Sequence, residues 1–252
     1  MSRSTGPSGV VMQGSRPLGR VGGRGSLLYS SVKAGGIIAI ESPAEATIAQ
    51  LADLDPRVIK LRAQPFTIDI PTNRLLRTRD ELKSARSERK KPEVSAREYT
   101  PDFEIELGSG APWVLESKTS QHAPGDSYWE KVGHAAALLR GRGYRFAVIK
   151  VPAAMDHPLV TNAALLTSFR RLSSGVSAHW LAQLEHHAHG LGALVDALQL
   201  CDLSLREAPL LFLTGLLSAD LRNVPIRADM QVSYAGGDLS ALELLPLQEA
   251  SA

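Results

Sequence analysis

One cysteine in 252 residues, Cys201, excludes an internal disulfide and any thiolate metal cluster. A buried, small apolar position is the expectation for it. No apolar run is long enough to span a bilayer, and the N-terminus lacks a signal-peptide hydrophobic region, so a cytoplasmic location is expected. Acid is absent from residues 1–36, which hold nine glycines and five basic residues. Such a composition cannot bury enough surface to fold alone, and the expectation is a flexible basic arm, either an unconstrained tail or one lying along DNA. Base is scarce in the second half. Residues 152–252 carry five Lys+Arg against ten Asp+Glu, whereas residues 1–151 carry 23 against 16, so the overall +2 hides halves of +7 and −5. A basic half favours phosphate backbones, and an acidic half favours a protein partner.

What is present centres on residues 99–118. Phe103, Ile105 and Leu107 alternate with Asp102, Glu104 and Glu106, a two-residue period that sorts apolar groups and carboxylates onto opposite faces of a strand. Gly108 to Pro112 is rich in turn formers, and Glu116 and Lys118 keep the same parity on the strand after it. A hairpin then brings Asp102 beside Glu116 and Lys118. Hydrolysing a phosphodiester requires neutralised phosphate charge and an activated water, which carboxylate-held Mg²⁺ supplies. Asp102 and Glu116 are the candidate ligands. Lys118, a compact point charge, is the candidate stabiliser of charge at the reacting phosphate. The alternative is a surface hairpin that merely carries charges.

Upstream, Ser42 fits a helix N-cap, Pro43 the first helical position and Glu45 the third position of a capping box, before the apolar stripe Ile48, Leu51, Ala52 and Leu54. The spacing predicts a helix over 43–53. Glu45 has two readings, a cap for the helix start or a third acidic group aimed at the metal. Glu41 precedes the cap and is less well placed. Val58 to Ile70 alternates as a long strand, interrupted or bulged at Pro65. Residues 72–98 hold nine basic and five acidic residues, either a solvated charged face or a contact to DNA backbone. Tyr128 to Leu139 has helical spacing, Gly141 to Gly143 stops it, and Tyr144 to Val151 reads as a buried strand reached by a right-handed crossover.

Taken together, Gly25 to Lys33, Glu41-Ser42-x-x-Glu45, Leu54-Asp55-Pro56-x-Val58, Gln64-Pro65-Phe66-Thr67-Ile68, Tyr99-Thr100-Pro101-Asp102-Phe103 and Leu115-Glu116-x-Lys118 resemble the TnsA family. These are endonuclease subunits of multi-component DNA transposition systems. The resemblance covers roughly residues 25–120, in the same order. It implies a restriction-endonuclease-like core that uses Mg²⁺, with Mn²⁺ substituting, to cut one strand of double-stranded DNA at transposon ends. A separate integrase-type transposase subunit cuts the other. By position the family's helix Glu falls on Glu45, its Pro-Asp acid on Asp102, and its final pair on Glu116 and Lys118. Gln64 matches a recurrent Gln-Pro, either near the site or a structural turn. Two features depart from the pattern: Ala44 stands where leucine is usual, and the 72–98 insertion is long.

Beyond a core ending near Pro158, helices are expected at Leu159–Leu172, Val176–His189, Leu191–Leu200 and Leu205–Asp220. A small hairpin is expected between Val224–Arg227 and Met230–Tyr234, and a loose tail over 235–252. Helices with a hairpin outline a winged-helix module, but the acidity argues against groove binding. The resemblance implies that this region meets an AAA+ ATPase regulator. His186, His187 and His189 lack the cysteine or acid cluster that would complete a zinc site, and His122 and His134 are expected at the surface. The expected class is α/β: a restriction-endonuclease-like mixed sheet over 37–158, then a winged-helix-like partner-binding domain over 159–234, with no membrane segment. A stand-alone restriction or repair nuclease and a non-catalytic DNA-binding adaptor that recruits the ATPase are the competing functions.

Overall fold

The computed structural model describes residues 27–88, 98–121, 125–172 and 177–248. These form a mixed α/β structure in two units. One comprises the described residues up to Ala49 and from Pro246, with Val58–Val151; the other comprises Gln50–Arg57 with Pro152–Leu245. Among the described residues no helix is long and apolar enough to cross a membrane.

In the first unit, β1 (Leu27–Ser31) pairs antiparallel with β2 (Gly36–Ile40). This corrects the flexible arm over its last ten residues, because Ile38 and Ile40 are fully buried and give the hairpin an apolar anchor. The rest of that arm lies outside the described residues. Helix α1 (Pro43–Leu54) follows, with its residues up to Ala49 in this unit. The long strand expected over 58–70 is two strands in different sheets, β3 (Val58–Ala63) and β4 (Thr67–Asp69). Between them Gln64 takes a left-handed φ of 45° and turns the chain one residue before Pro65.

The insertion folds as far as it is described. β5 (Arg74–Leu76) pairs with β4, and α2 (Arg79–Ser87) starts at a complete capping box between Thr78 and Glu81. Leu76, Leu82 and Ala85 make a small core there. Residues 89–97 lie outside the described residues. β6 (Glu98–Tyr99) returns to β4.

The main sheet has the order β3, β7 (Phe103–Leu107), β8 (Trp113–Thr119), β9 (Arg145–Val151). β3, β7 and β8 are antiparallel, while β8 and β9 are parallel and joined through α3 (Asp126–Arg140). A parallel pair needs such a crossover. Val132, Ala135, Ala136 and Leu139 recur at helical spacing and pack with Val114, Phe146, Phe66, Ile68 and Tyr99. On the other parity Phe103, Ile105, Leu115 and Ile149 are buried too. A strand covered on both faces reads as a continuous apolar run, which is why β8 opens Trp-Val-Leu. Glu104 and Glu106 do not reach the candidate site, since Arg62 of β3 bonds both.

The second unit contains α4 (Pro158–Phe169), α5 (Ala178–His186), α6 (Leu194–Leu200) and α7 (Ala208–Leu213). Cys201 is buried there. The helix expected over 205–220 stops early, because Gly215 turns left-handed, at φ 68°, before β10 (Leu217–Ser218). The hairpin of 224–227 with 230–234 does not form. β11 (Ser233–Tyr234) pairs with β10 instead, and Gln231 bridges Ala193. The backbone of 221–226 is already committed: buried Asn162 donates to the carbonyls of Leu221 (3.0 Å) and Val224 (2.8 Å) and accepts from the Ile226 N–H (3.0 Å). The tail is not loose over its described part. Leu242, Leu244 and Leu245 are buried, and the Leu245 N–H donates to the fully buried Asp55 carboxylate, which also pairs with Arg57.

Candidate active site

The β7–β8 register pairs Phe103 with Leu115 and Glu104 with Val114. Continued by one residue, it sets Asp102 opposite Glu116. β7 begins only at Phe103, while β8 runs on to Thr119 against β9. Where the ladder stops, the Asp102 side chain takes over: its Oδ2 accepts from the Ser117 N–H at 2.7 Å. A charge-assisted bond of this kind is strong and fixes the carboxylate. The Asp102 carbonyl in turn accepts from the Gln64 N–H at 2.8 Å. Thr100 and Thr67 join their hydroxyls at 2.8 Å on the approach to Pro101-Asp102.

Glu116 and Lys118 lie on one face of β8, as their parity requires, with Lys118 Nζ donating to Glu116 Oε1 at 2.8 Å. Glu116 is buried and further held by two tyrosines. The Tyr99 hydroxyl donates to Oε2 at 2.6 Å, and the Tyr128 hydroxyl, from the first turn of α3, donates to Oε1. The Lys118 ammonium also sits over the Tyr128 ring, 4.6 Å from its centroid. Burial first, and then the Glu116 charge, push both phenols above their ordinary range, so each remains a donor.

Glu45, in the first turn of α1, bonds back to the two residues that precede the helix. Its Oε2 accepts from the Glu41 N–H at 2.9 Å, its Oε1 from the Ser42 hydroxyl at 2.8 Å, and its own N–H donates to Ser42 Oγ at 3.2 Å. It also shares a cleft of about 300 Å³ with Glu41, Asp102, Ser117, Lys118 and Thr119. Glu116 does not line that cleft; it stands beside it and reaches it through Lys118. Glu41, set aside on sequence grounds, is on the cleft wall, where Gln64 Nε2 donates to its Oε1 at 3.0 Å.

The carboxylates feel one another. Burial, followed by repulsion from Glu116 and Glu45, holds the Asp102 carboxyl well above its ordinary value, against the opposing pull of the Ser117 N–H and Lys118. Burial likewise raises Glu45; bonds from Glu41 and Ser42 oppose this, and repulsion from Glu41 and Glu116 adds to it. Mutual repulsion of this kind is what a cluster of buried acids produces. The donor set fits Mg²⁺ in kind, since every candidate atom is a hard oxygen. The side chains as placed are not a finished cage: among the described residues no three His, Cys, Asp or Glu groups are arranged to hold a metal. Glu45 and Glu116 spend their oxygens on internal donors.

Sequence reasoning missed Tyr99, Tyr128 and Ser117. Tyr99 adjoins the Thr-Pro-Asp run and could have been suspected. Tyr128 reaches Glu116 only because α3 packs on the sheet, and no local pattern announces that. Of the histidines, His134 Nε2 meets Asn73 Oδ1 at the surface and His122 lies outside the described residues. His186, His187 and His189 line a separate cleft in the second unit. No family model matches this sequence, and neither does any curated protein.

Proposed function

We propose that this chain hydrolyses phosphodiester bonds in double-stranded DNA with Mg²⁺, as the endonuclease subunit of a multi-component transposase. The observation that carries the reading is the meeting of Asp102, Glu45 and Lys118 on one cleft, with Glu116 gripping Lys118 from behind. These residues are scattered over the sequence, and all four belong to the motifs that resemble the TnsA family. An antiparallel-to-parallel sheet with a crossover helix supports a restriction-endonuclease-like core, and the helices and short strand pair of the second unit support a winged-helix-like module.

In this reading Asp102 and Glu45 hold the metal. Glu116 joins them only by giving up a tyrosine or lysine bond. The bound cation would supply phosphate neutralisation and a more acidic water. Lys118, anchored by Glu116 and the Tyr128 ring, presents fixed positive charge to the phosphate as negative charge builds up, and pays no reorganisation for it. The basic first half attracts the DNA backbone, and the acidic second half faces an AAA+ ATPase regulator while the integrase-type subunit cuts the other strand.

The test is cleavage of transposon-end DNA by the reconstituted complex with Mg²⁺ or Mn²⁺. Asp102→Asn and Lys118→Ala should each lower the rate about 100-fold or more while leaving the fold intact. Native rates from both variants would remove these residues from the chemistry. The internal bonding of Glu45 and Glu116 favours one other reading, a DNA-holding adaptor that recruits the ATPase. Normal excision despite loss of Glu116 and Lys118 would establish that instead, and cutting of ordinary duplex by the chain alone would mark a stand-alone nuclease.

A further inference from the structure

We propose that Gln64 is a positioning residue that presents Glu41 and Asp102 to the same cleft, which makes Glu41 a ligand for a hard divalent cation. This rests on the metal-dependent reading above and goes beyond it in the residues it names. Three non-glycine residues among those described have positive φ: Gln64, Asn73 and Asp202. Asn and Asp tolerate the left-handed region because their short side chains bond locally, whereas Gln gains no such relief. A strained conformation persists where the surroundings over-determine it, and this is a mark of functional sites. Here the surroundings are specific. Buried Gln64 gives its N–H to the Asp102 carbonyl (2.8 Å) and its side-chain amide to Glu41 Oε1 (3.0 Å).

Glu41 and Glu45 both line the cleft, and Glu45 gives its two oxygens to the Glu41 N–H and the Ser42 hydroxyl. Glu41 lies outside the helix and is held from the β3–β4 turn. A second, independent mark of an occupant is Ser117. It lines the same cleft at 6% exposure, and its Oγ is buried without a hydrogen-bond partner. Buried hydroxyls rarely go unsatisfied, and a bound ion is one of the things that satisfies them. Carboxylate and hydroxyl oxygens with no sulfur or imidazole select Mg²⁺ or Mn²⁺ over zinc.

Calorimetric titration of the full chain with Mn²⁺, beside metal-free thermal melts, tests this. Gln64→Gly and Gln64→Asn both accept the left-handed backbone and keep the N–H for Asp102, but neither side chain reaches Glu41. Each should melt like the native chain and bind Mn²⁺ about 10-fold more weakly, the usual cost of losing an outer-shell partner. Glu41→Gln should weaken binding at least as much. Native affinity in Glu41→Gln, or in both Gln64 variants, overturns the proposal. If affinity falls in Glu45→Gln but not in Glu41→Gln, the metal-dependent reading stands and this assignment fails. If the native chain binds no Mn²⁺, both fall.

Discussion

Replacing Asp102 by Asn should stabilise the folded chain at neutral pH, whatever it does to the cleavage proposed above. Burial, then repulsion from Glu116 and Glu45, raises the folded-state pKa of Asp102 well above its unfolded value. The folded chain therefore binds more protons than the unfolded chain between the two values. The stability that comes from the neutral acid is complete below the unfolded pKa of about 3.9, and it is lost as pH rises through the folded pKa. Asparagine keeps an oxygen for the Ser117 N–H, 2.7 Å away in the native chain, and carries no charge at any pH. Relieving a strained site of this kind is worth about 0.5–2 kcal/mol. For a chain of this size that is a rise of roughly 1–8 °C in Tm. Melts followed by circular dichroism in metal-free buffer, from about pH 4 to about pH 8, would show the gap between variant and native widening with pH. A variant that melts below native at neutral pH, or a gap that ignores pH, refutes the reasoning.

Asn162→Ala strands two carbonyls and one N–H in the second unit, and it should cost about 2–4 kcal/mol in urea unfolding. A loss under about 1 kcal/mol would mean that the 221–226 segment is held by something else. Gly215→Ala should cost more than about 2 kcal/mol, because its new Cβ would lie 2.7 Å from the Gly237 carbonyl carbon on top of the left-handed penalty. Gly143→Ala, at φ 82° with nothing within 4 Å, should show only the backbone penalty of about 1–2 kcal/mol. Equal losses in these two alanine variants would rule out the clash.

What could be read in advance was local. The alternation of Phe103 to Leu107, the Ser42–Glu45 cap and the Tyr128–Leu139 spacing each encode their element within one or two turns of chain, and those elements are present. The Thr78–Glu81 box that starts α2 was equally legible and went unread. What could not be read depends on distant partners. Gln64 breaks the 58–70 strand because it serves Asp102 and Glu41, and Asn162 diverts 221–226 from a hairpin through bonds spanning about sixty residues. Likewise, parity placed Glu116 beside Lys118 but could not reveal the two phenols that hold it. Leu242 to Leu245 looked like a tail because three leucines without periodicity carry no signal until buried Asp55 is there to fix them.

The overhang of β8 beyond β7 has a bearing on solubility. A strand that outruns its neighbour offers donors and acceptors to any foreign strand, the usual seed of edge-to-edge aggregation. Asp102 occupies that overhang, taking the Ser117 donor and setting a carboxylate where an intruding backbone would have to lie. Alanine at this position would bare the edge and invite self-association, whatever the cleft does.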